Sequence, residues 1–263
     1  MYKSIVTEIV KRQKPKLLVI NASAFSQGNW NLTDEVYLRK WIDNMPMSQN
    51  KLDTVKTIPK NINKDDEKVK DNISDTLYFP LEKYHGNWKD PEAVYTSFVT
   101  RAYMRLSGGG YLKGFYSKTG ITGGRDNLAN IGQPTKEAYV LTDECRAYLK
   151  ELLSYCNKLG IEHVLLLQPP HETQAADKSG LEQIESITKE YGYDFLDLST
   201  DYESIAGIDD SHDFADFEHL NAYGAKKLTA YIGDMAVNQY CIKSDTAKSE
   251  LSRWKKSVKR TKK

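Results

Sequence analysis

The stretch that decides the fold is Ile161-Glu162-His163-Val164-Leu165-Leu166-Leu167-Gln168-Pro169-Pro170. Its apolar run has the length of one buried strand, and two prolines end it because they cannot donate strand hydrogen bonds. The segment before it, 143–159, carries apolar residues at helical spacing and stops at Gly160. A helix that leads at once into a buried strand is half of a βαβ unit, which predicts a parallel sheet.

The same alternation occurs on both sides of this stretch. Apolar spacing and turn residues predict further helices and strands, in the order helix 2–12, strand 16–20, helix 181–191, strand 195–198 and helix 223–237. This order predicts an α/β fold with a parallel, doubly wound sheet. Because such sheets bind ligands at the carboxyl ends of their strands, we expect Asn21–Gly28, Gln168–Gln174 and Ser199–His219 on one rim.

Length and composition suit one α/β domain with insertions, or at most two small domains. The 263 residues, 40% of them hydrophobic, suit an α/β domain over 1–240, with an insertion at about 44–134 and a basic tail over 241–263. The formal net charge of +1 gives no overall field for nucleic acid, so none is predicted as a partner. No membrane-spanning run, signal peptide or zinc-type cysteine spacing occurs, and no cofactor is predicted.

The segment that carries chemistry is 213–225, between the last predicted strand and the last helix. Asp216 lies three residues before His219, so both side chains can lie on one side of a loop-to-helix junction. A carboxylate there can fix the tautomer of the imidazole, and histidine is the usual general base for a hydroxyl nucleophile. A helix cap with an incidental histidine is the alternative interpretation.

This segment resembles a known catalytic block. Asp213-Phe214-x-Asp216-x-x-His219-Leu220-Asn221-x-x-Gly224-Ala225-x-Lys227 is similar to the last motif block of the SGNH/GDSL hydrolase superfamily. Three further stretches resemble its bacterial cell-surface and polysaccharide-modifying branch: Gln13-Lys14-Pro15-Lys16-Leu17, Lys83-Tyr84-His85-x-x-Trp88 and Leu166-Leu167-Gln168-Pro169-Pro170. The resemblance covers most of 8–236.

The resemblance implies a flavodoxin-like three-layer sandwich and a serine ester hydrolase or O-acyltransferase. Its substrates would be acyl groups of sugars or cell-envelope polymers, outside the cytoplasm. His219 would be the base and Asp216 its orienting acid, with His85 and Trp88 as substrate contacts at the mouth of the site. Packing of His85 and Trp88 within a loop is the other interpretation.

The nucleophile segment of the family is missing. Its Gly-x-Ser turn would lie upstream of Met1, so we expect a fold that is incomplete at the N-terminus, and impaired activity. Ser23 and Ser26, after the first strand, are the nearest candidates for the nucleophile. They fall where the family carries an oxyanion-hole asparagine, a role that Asn21 could take.

Two alternative functions stay open, as do two interpretations of the C-terminal tail. The chain could be a non-catalytic α/β binding domain of a cell-envelope protein. It could also be a metal-dependent hydrolase, because His212, Asp213, Asp216 and His219 are nitrogen and oxygen ligand types. The basic tail is either a solvated segment or a contact with anionic lipid or cell-wall polymer, with Trp254 as its anchor.

Overall fold

The computed structural model describes residues 2–26, 39, 41–58, 77–78, 90–92, 95–96, 98–99, 139–170, 178–216, 219–243, 251–252 and 254–255. The chain divides into two compact units. The first consists of Met1–Trp30 and Ser117–Lys243, and the second of Asn31–Tyr116 and Ser244–Lys263. All residues of the candidate site that the structure describes belong to the first unit.

Within the described residues, the helices and strands predicted above are all present, and further short elements lie between them. In chain order they are α1 (Tyr2–Arg12), β1 (Leu17–Asn21), α2 (Ser23–Ser26), α3 (Gln49–Thr57), α4 (Asp143–Lys158), β2 (His163–Gln168), α5 (Ser179–Glu190), β3 (Asp194–Asp197), α6 (Tyr202–Ala206), β4 (Phe214–Asp216), β5 (His219–Leu220) and α7 (Ala222–Asn238).

A three-stranded parallel sheet organises the first unit. Its strand order is β1-β2-β3, with Leu17 beside His163 and Leu165 beside Asp194 in the register. A separate antiparallel pair, β4 with β5, precedes the last helix. The mixed α/β fold with a parallel sheet is therefore confirmed, whereas the narrower flavodoxin-like sandwich stays a prediction.

Two hydrophobic clusters flank β2. Val164 and Leu166 belong to a large cluster with residues of α1, α4 and α5, whereas Leu167 belongs to a smaller one with residues around α6 and β4. Successive side chains of a strand point to opposite faces, so alternate residues of β2 enter different clusters. Such burial on both sides explains the near-continuous apolar run of its sequence.

Glycines with positive φ follow three helices of the first unit, and those after α4 and α5 lead into strands. Gly160 after α4 and Gly192 after α5 have φ angles of 69° and 77°, the left-handed conformation that glycine adopts without steric cost. After α4, the N–H of Ile161 donates to the carbonyl of Cys156, which satisfies a carbonyl of the last turn. Each of these two glycines turns the chain directly into the following strand.

The second unit contains α3, which begins after Ser48. The Ser48 hydroxyl accepts a hydrogen bond from the N–H of Lys51 at 3.2 Å, a standard N-cap. Its buried apolar residues include Ile42, Val55 and Leu77. Of the tail, Trp254 is 48% exposed, and no helix within the described ranges is long and apolar enough to cross a membrane.

Candidate active site

The carboxyl ends of β1, β2 and β3 lie side by side and form a polar rim. Hydrogen bonds extend past the strands, from Ala22 N–H to the Leu167 carbonyl and from Leu198 N–H to that of Gln168. The Gln168 side chain is buried, and its amide donates to the Ser23 hydroxyl at 3.4 Å. The predicted meeting of Asn21, Gln168 and Ser199 at one end of the sheet is thus confirmed for the described residues.

The β4–β5 hairpin packs beside this rim. Phe214 of β4 lies in one buried cluster with Leu167, at the end of β2, and Leu198, which follows β3. Leu220 of β5 packs against the same cluster. The cluster therefore fixes the hairpin near the edge of the sheet where ligands of α/β proteins bind.

Asp216 and His219 face each other across this hairpin. They are paired residues of β4 and β5, and Asp216 Oδ1 lies 2.7 Å from His219 Nδ1. Their side chains are 33% and 58% exposed, respectively. Because an ionised carboxylate can only accept a hydrogen bond, Nδ1 is the nitrogen that carries the proton in this pair, and Nε2 of the neutral ring is the nitrogen that can accept one. The spacing places the pair as expected, but across strands and not at a helix start.

The other predicted site residues have separate positions. Asn21 ends β1 with an exposed side chain, whose Oδ1 accepts a hydrogen bond from the N–H of Ser23 at 2.9 Å. Its remaining amide Nδ2 is the group that could donate to a negatively charged oxygen. His85 and Trp88 lie outside the described residues, so their proposed contact with substrate stays a prediction.

A second histidine–aspartate pair lies a few residues earlier. His212 Nδ1 is 3.0 Å from Asp213 Oδ1, and the Asp213 side chain is fully buried while that of His212 is half exposed. The other carboxylate oxygen, Oδ2, accepts hydrogen bonds from Lys227 Nζ at 2.6 Å and from Asp209 N–H at 2.8 Å. Asp213 is therefore engaged by three donors.

These donors decide the charge of Asp213. Burial alone would raise the pKa of its carboxyl. The hydrogen bonds from Asp209, His212 and Lys227, together with the charge of Lys227, outweigh burial and lower this pKa below its ordinary value. Asp213 is consequently a buried anion at neutral pH, balanced by the ammonium group of α7.

Asn221 joins the hairpin to α7. Its side-chain oxygen accepts hydrogen bonds from the N–H groups of Tyr223 and Gly224, which caps the helix. Its amide nitrogen donates to the carbonyl of His212 at 2.6 Å. A single buried side chain thus satisfies donors of the helix start and an acceptor of the preceding loop.

The metal alternative is not supported by this arrangement. Among the described residues, no group of three or more His, Cys, Asp or Glu side chains is placed to hold a metal ion. His212, Asp213, Asp216 and His219 are all described, and they form two separate pairs with both Asp213 oxygens already engaged. These four side chains have the chemistry of metal ligands, but the structure does not bring them together as one cluster.

No serine hydroxyl among the described residues hydrogen-bonds His219. Ser23 begins α2, two residues after the end of β1, and its hydroxyl accepts a hydrogen bond from the Gln168 amide, whereas the Ser26 side chain lies outside the described residues. The described residues thus bring an aspartate–histidine pair to the rim, and no serine hydroxyl among them contacts that pair.

Sequence reasoning missed the partnership of Asp213 with Lys227. The two residues are fourteen positions apart and belong to different elements, so no local spacing predicts that they meet. The available signal was that both fall inside the stretch that resembles the SGNH/GDSL block.

Searches against protein-family models, curated proteins and solved structures find no match to this chain.

Proposed function

We propose that this protein is an SGNH/GDSL-type ester hydrolase or O-acyltransferase, with His219 as general base and Asp216 as its orienting acid. The observation that carries the proposal is the 2.7 Å contact between Asp216 Oδ1 and His219 Nδ1. A histidine that acts as general base for a hydroxyl nucleophile is oriented in this way in Ser-His-Asp sites, because the carboxylate selects the tautomer in which Nε2 can accept a proton.

The surroundings of the pair support the proposal. The pair is solvent accessible, and its hairpin packs beside the carboxyl ends of β2 and β3. Proton transfer needs an accessible Nε2, and α/β sheets bind their ligands at this edge. The proposed architecture is the flavodoxin-like three-layer sandwich. The parallel sheet and the helices packed on its faces support this proposal.

The proposed reaction is acyl transfer. A hydroxyl oxygen attacks the ester carbonyl carbon while Nε2 of His219 takes the hydroxyl proton, and Asp216 stabilises the resulting imidazolium. The tetrahedral oxyanion needs donors at the rim, and the Asn21 amide is the candidate. Collapse breaks the ester C–O bond, and His219 returns the proton to the leaving alcohol. Water or a second alcohol then releases the acyl group.

The proposed substrates are acyl groups on sugars or cell-envelope polymers, and the proposed location is the cell envelope. Both come from the resemblance of the motifs. A contact of the basic tail with anionic lipid or cell-wall polymer belongs to the same proposal. Its support is the half-exposed Trp254, since an exposed tryptophan among basic residues suits an anionic interface.

Fluorophosphonate labelling of the full chain, read by peptide mass spectrometry, tests the proposal. The probe reacts with a hydroxyl that a base has activated. Although the family's Gly-x-Ser segment is not found in this sequence, catalysis by this chain requires one labelled serine within it, with labelling lost in His219→Ala. His163→Ala is the matched control and should keep the label, because His163 begins β2, at the end of the sheet opposite the rim. Absence of labelling in the folded wild type, or equal labelling in His219→Ala, contradicts the proposal.

A non-catalytic α/β binding domain is the second candidate. The observation that favours it is that no described serine hydroxyl contacts His219. It predicts a folded, unlabelled chain that retains binding to an anionic or acylated polysaccharide. Retention on such a polymer, unchanged in His219→Ala, would support this candidate over the enzyme.

A further inference from the structure

The hairpin that carries Asp216 and His219 is too short to hold its own geometry. β4 has three residues and β5 has two, and an isolated two-stranded ribbon is marginal in water. His219 is 58% exposed, and its hydrogen-bond partner among the described residues is Asp216. The separation of the pair must therefore be set by whatever holds the two ends of the hairpin.

Asp213 holds the entrance to β4. Its buried carboxylate accepts hydrogen bonds from Lys227 Nζ, in the second turn of α7, and from Asp209 N–H in the preceding loop. Its own N–H donates to the Asp209 carbonyl at 2.9 Å. The residue immediately before β4 is thus bonded both to the loop and to the last helix.

Asn221 holds the exit from β5. Its backbone N–H donates to the carbonyl of Asp213 at 2.9 Å, and its side-chain amide donates to the carbonyls of His212 and Phe214. The same side chain caps α7. Both ends of the hairpin are consequently joined to each other and to the helix start.

Gly224 brings α7 against this junction. A Cβ atom at Gly224 would lie 2.4 Å from the Asp213 carbonyl oxygen, closer than any real contact. The first turn of α7 therefore touches the backbone at the start of β4. This close approach places Lys227 within reach of the buried carboxylate.

We infer that Asp213, through its ion pair with Lys227, is a positioning residue that holds Asp216 opposite Nδ1 of His219. Asp213 lies three residues before Asp216, and its backbone carbonyl is bonded to Asn221, two residues after His219. Loss of this anchor lets β4 and β5 move relative to each other. The use of His219 as a base rests on the proposed function, whereas the positioning does not.

The tautomer of His219 reports the positioning. Histidine labelled with ¹⁵N in the full chain distinguishes Nδ1–H from Nε2–H rings by long-range ¹H–¹⁵N correlation NMR, at a pH above the imidazole range. We expect the Nδ1–H form to predominate in the wild type and in Asp234→Asn, a control on the exposed part of α7. Asp216→Asn gives the reference spectrum for a ring without its carboxylate.

The double variant Asp213→Asn/Lys227→Met removes the ion pair without leaving a lone buried charge. We expect its His219 to lose the predominance of the Nδ1–H form and to approach the Asp216→Asn spectrum. The single variant Lys227→Arg keeps a cation beside Asp213, and its His219 spectrum should match that of the wild type. A folded double variant whose His219 stays in the Nδ1–H form overturns the inference.

Lys227→Met alone covers the case in which the double variant does not fold. It keeps Asp213 and its bonds to Asp209 and His212, and an unchanged His219 tautomer in this folded variant overturns the inference. The proposed function fails separately. A wild type without fluorophosphonate labelling, but with a tautomer that depends on Asp213 and Lys227, refutes catalysis and supports the positioning role.

Discussion

The two histidine–aspartate pairs before α7 have similar lengths but different surroundings. Asp216 and His219 are 2.7 Å apart and both partly exposed, whereas His212 and Asp213 are 3.0 Å apart around a fully buried carboxylate. Asp213 is also ion-paired to Lys227 and bonded to the Asp209 backbone. A short contact therefore does not define a catalytic pair. The exposure of the imidazole and the burial of the carboxylate are what distinguish the two pairs.

Removal of each carboxylate should have very different effects on stability. Asp213→Asn leaves the Lys227 ammonium beside a neutral amide, and we expect the free energy of unfolding to fall by about 2–4 kcal/mol. Asp216→Asn weakens an exposed pair and should cost less than about 1 kcal/mol. Urea unfolding of both variants, with Asp234→Asn as a control, checks the difference. Equal losses would contradict the assignment of Asp213 as the anchor.

Two glycines of α7 sharpen the comparison between its anchored and its exposed part. Gly224→Ala places a methyl group 2.4 Å from the Asp213 carbonyl oxygen, so we expect a loss of about 1–3 kcal/mol despite the better helix propensity of alanine. Gly233→Ala has open space within 4 Å and should gain about 0.5–1 kcal/mol. Thermal unfolding measures both. A stabilising Gly224→Ala would show that the close contact is absent.

Acid should remove the contribution of the anchor. The pKa of Asp213 is lowered in the folded state, so its contribution is fully present above about pH 4, the value of an unfolded aspartate. It is lost as the pH falls through the lowered folded pKa. The difference in unfolding free energy between wild type and Asp213→Asn should therefore narrow as the pH falls from about 4 through the lowered folded pKa of Asp213. A difference independent of pH over that range would argue against a buried anion.

Long periodic elements were predictable because their signals are local. The helix Asp143–Lys158 and the strand His163–Gln168 lie within two residues of the bounds expected from apolar spacing and the glycine stop. The helices Gln49–Thr57 and Tyr202–Ala206 were missed because short elements carry too few turns for a periodic pattern. Their formation depends on caps and on tertiary packing.

The candidate site was predictable only in part. The Asp216–His219 pair follows from three-residue spacing and the resemblance of its block, although a hairpin and not a helix start brings the residues together. The different burial of Asp213 and Asp216 has no local signal, since both are aspartates in one short polar stretch. The burial of Asp213 and its tertiary contact with Lys227 are what distinguish it from Asp216.

The most direct measurement of the division between the two pairs is the fluorophosphonate labelling rate of Asp216→Asn relative to wild type. We expect the rate to fall by on the order of 1,000-fold or more, with the unfolding free energy nearly unchanged, because the amide no longer selects the basic tautomer of His219. A wild-type labelling rate in a folded Asp216→Asn variant would contradict the role of this pair.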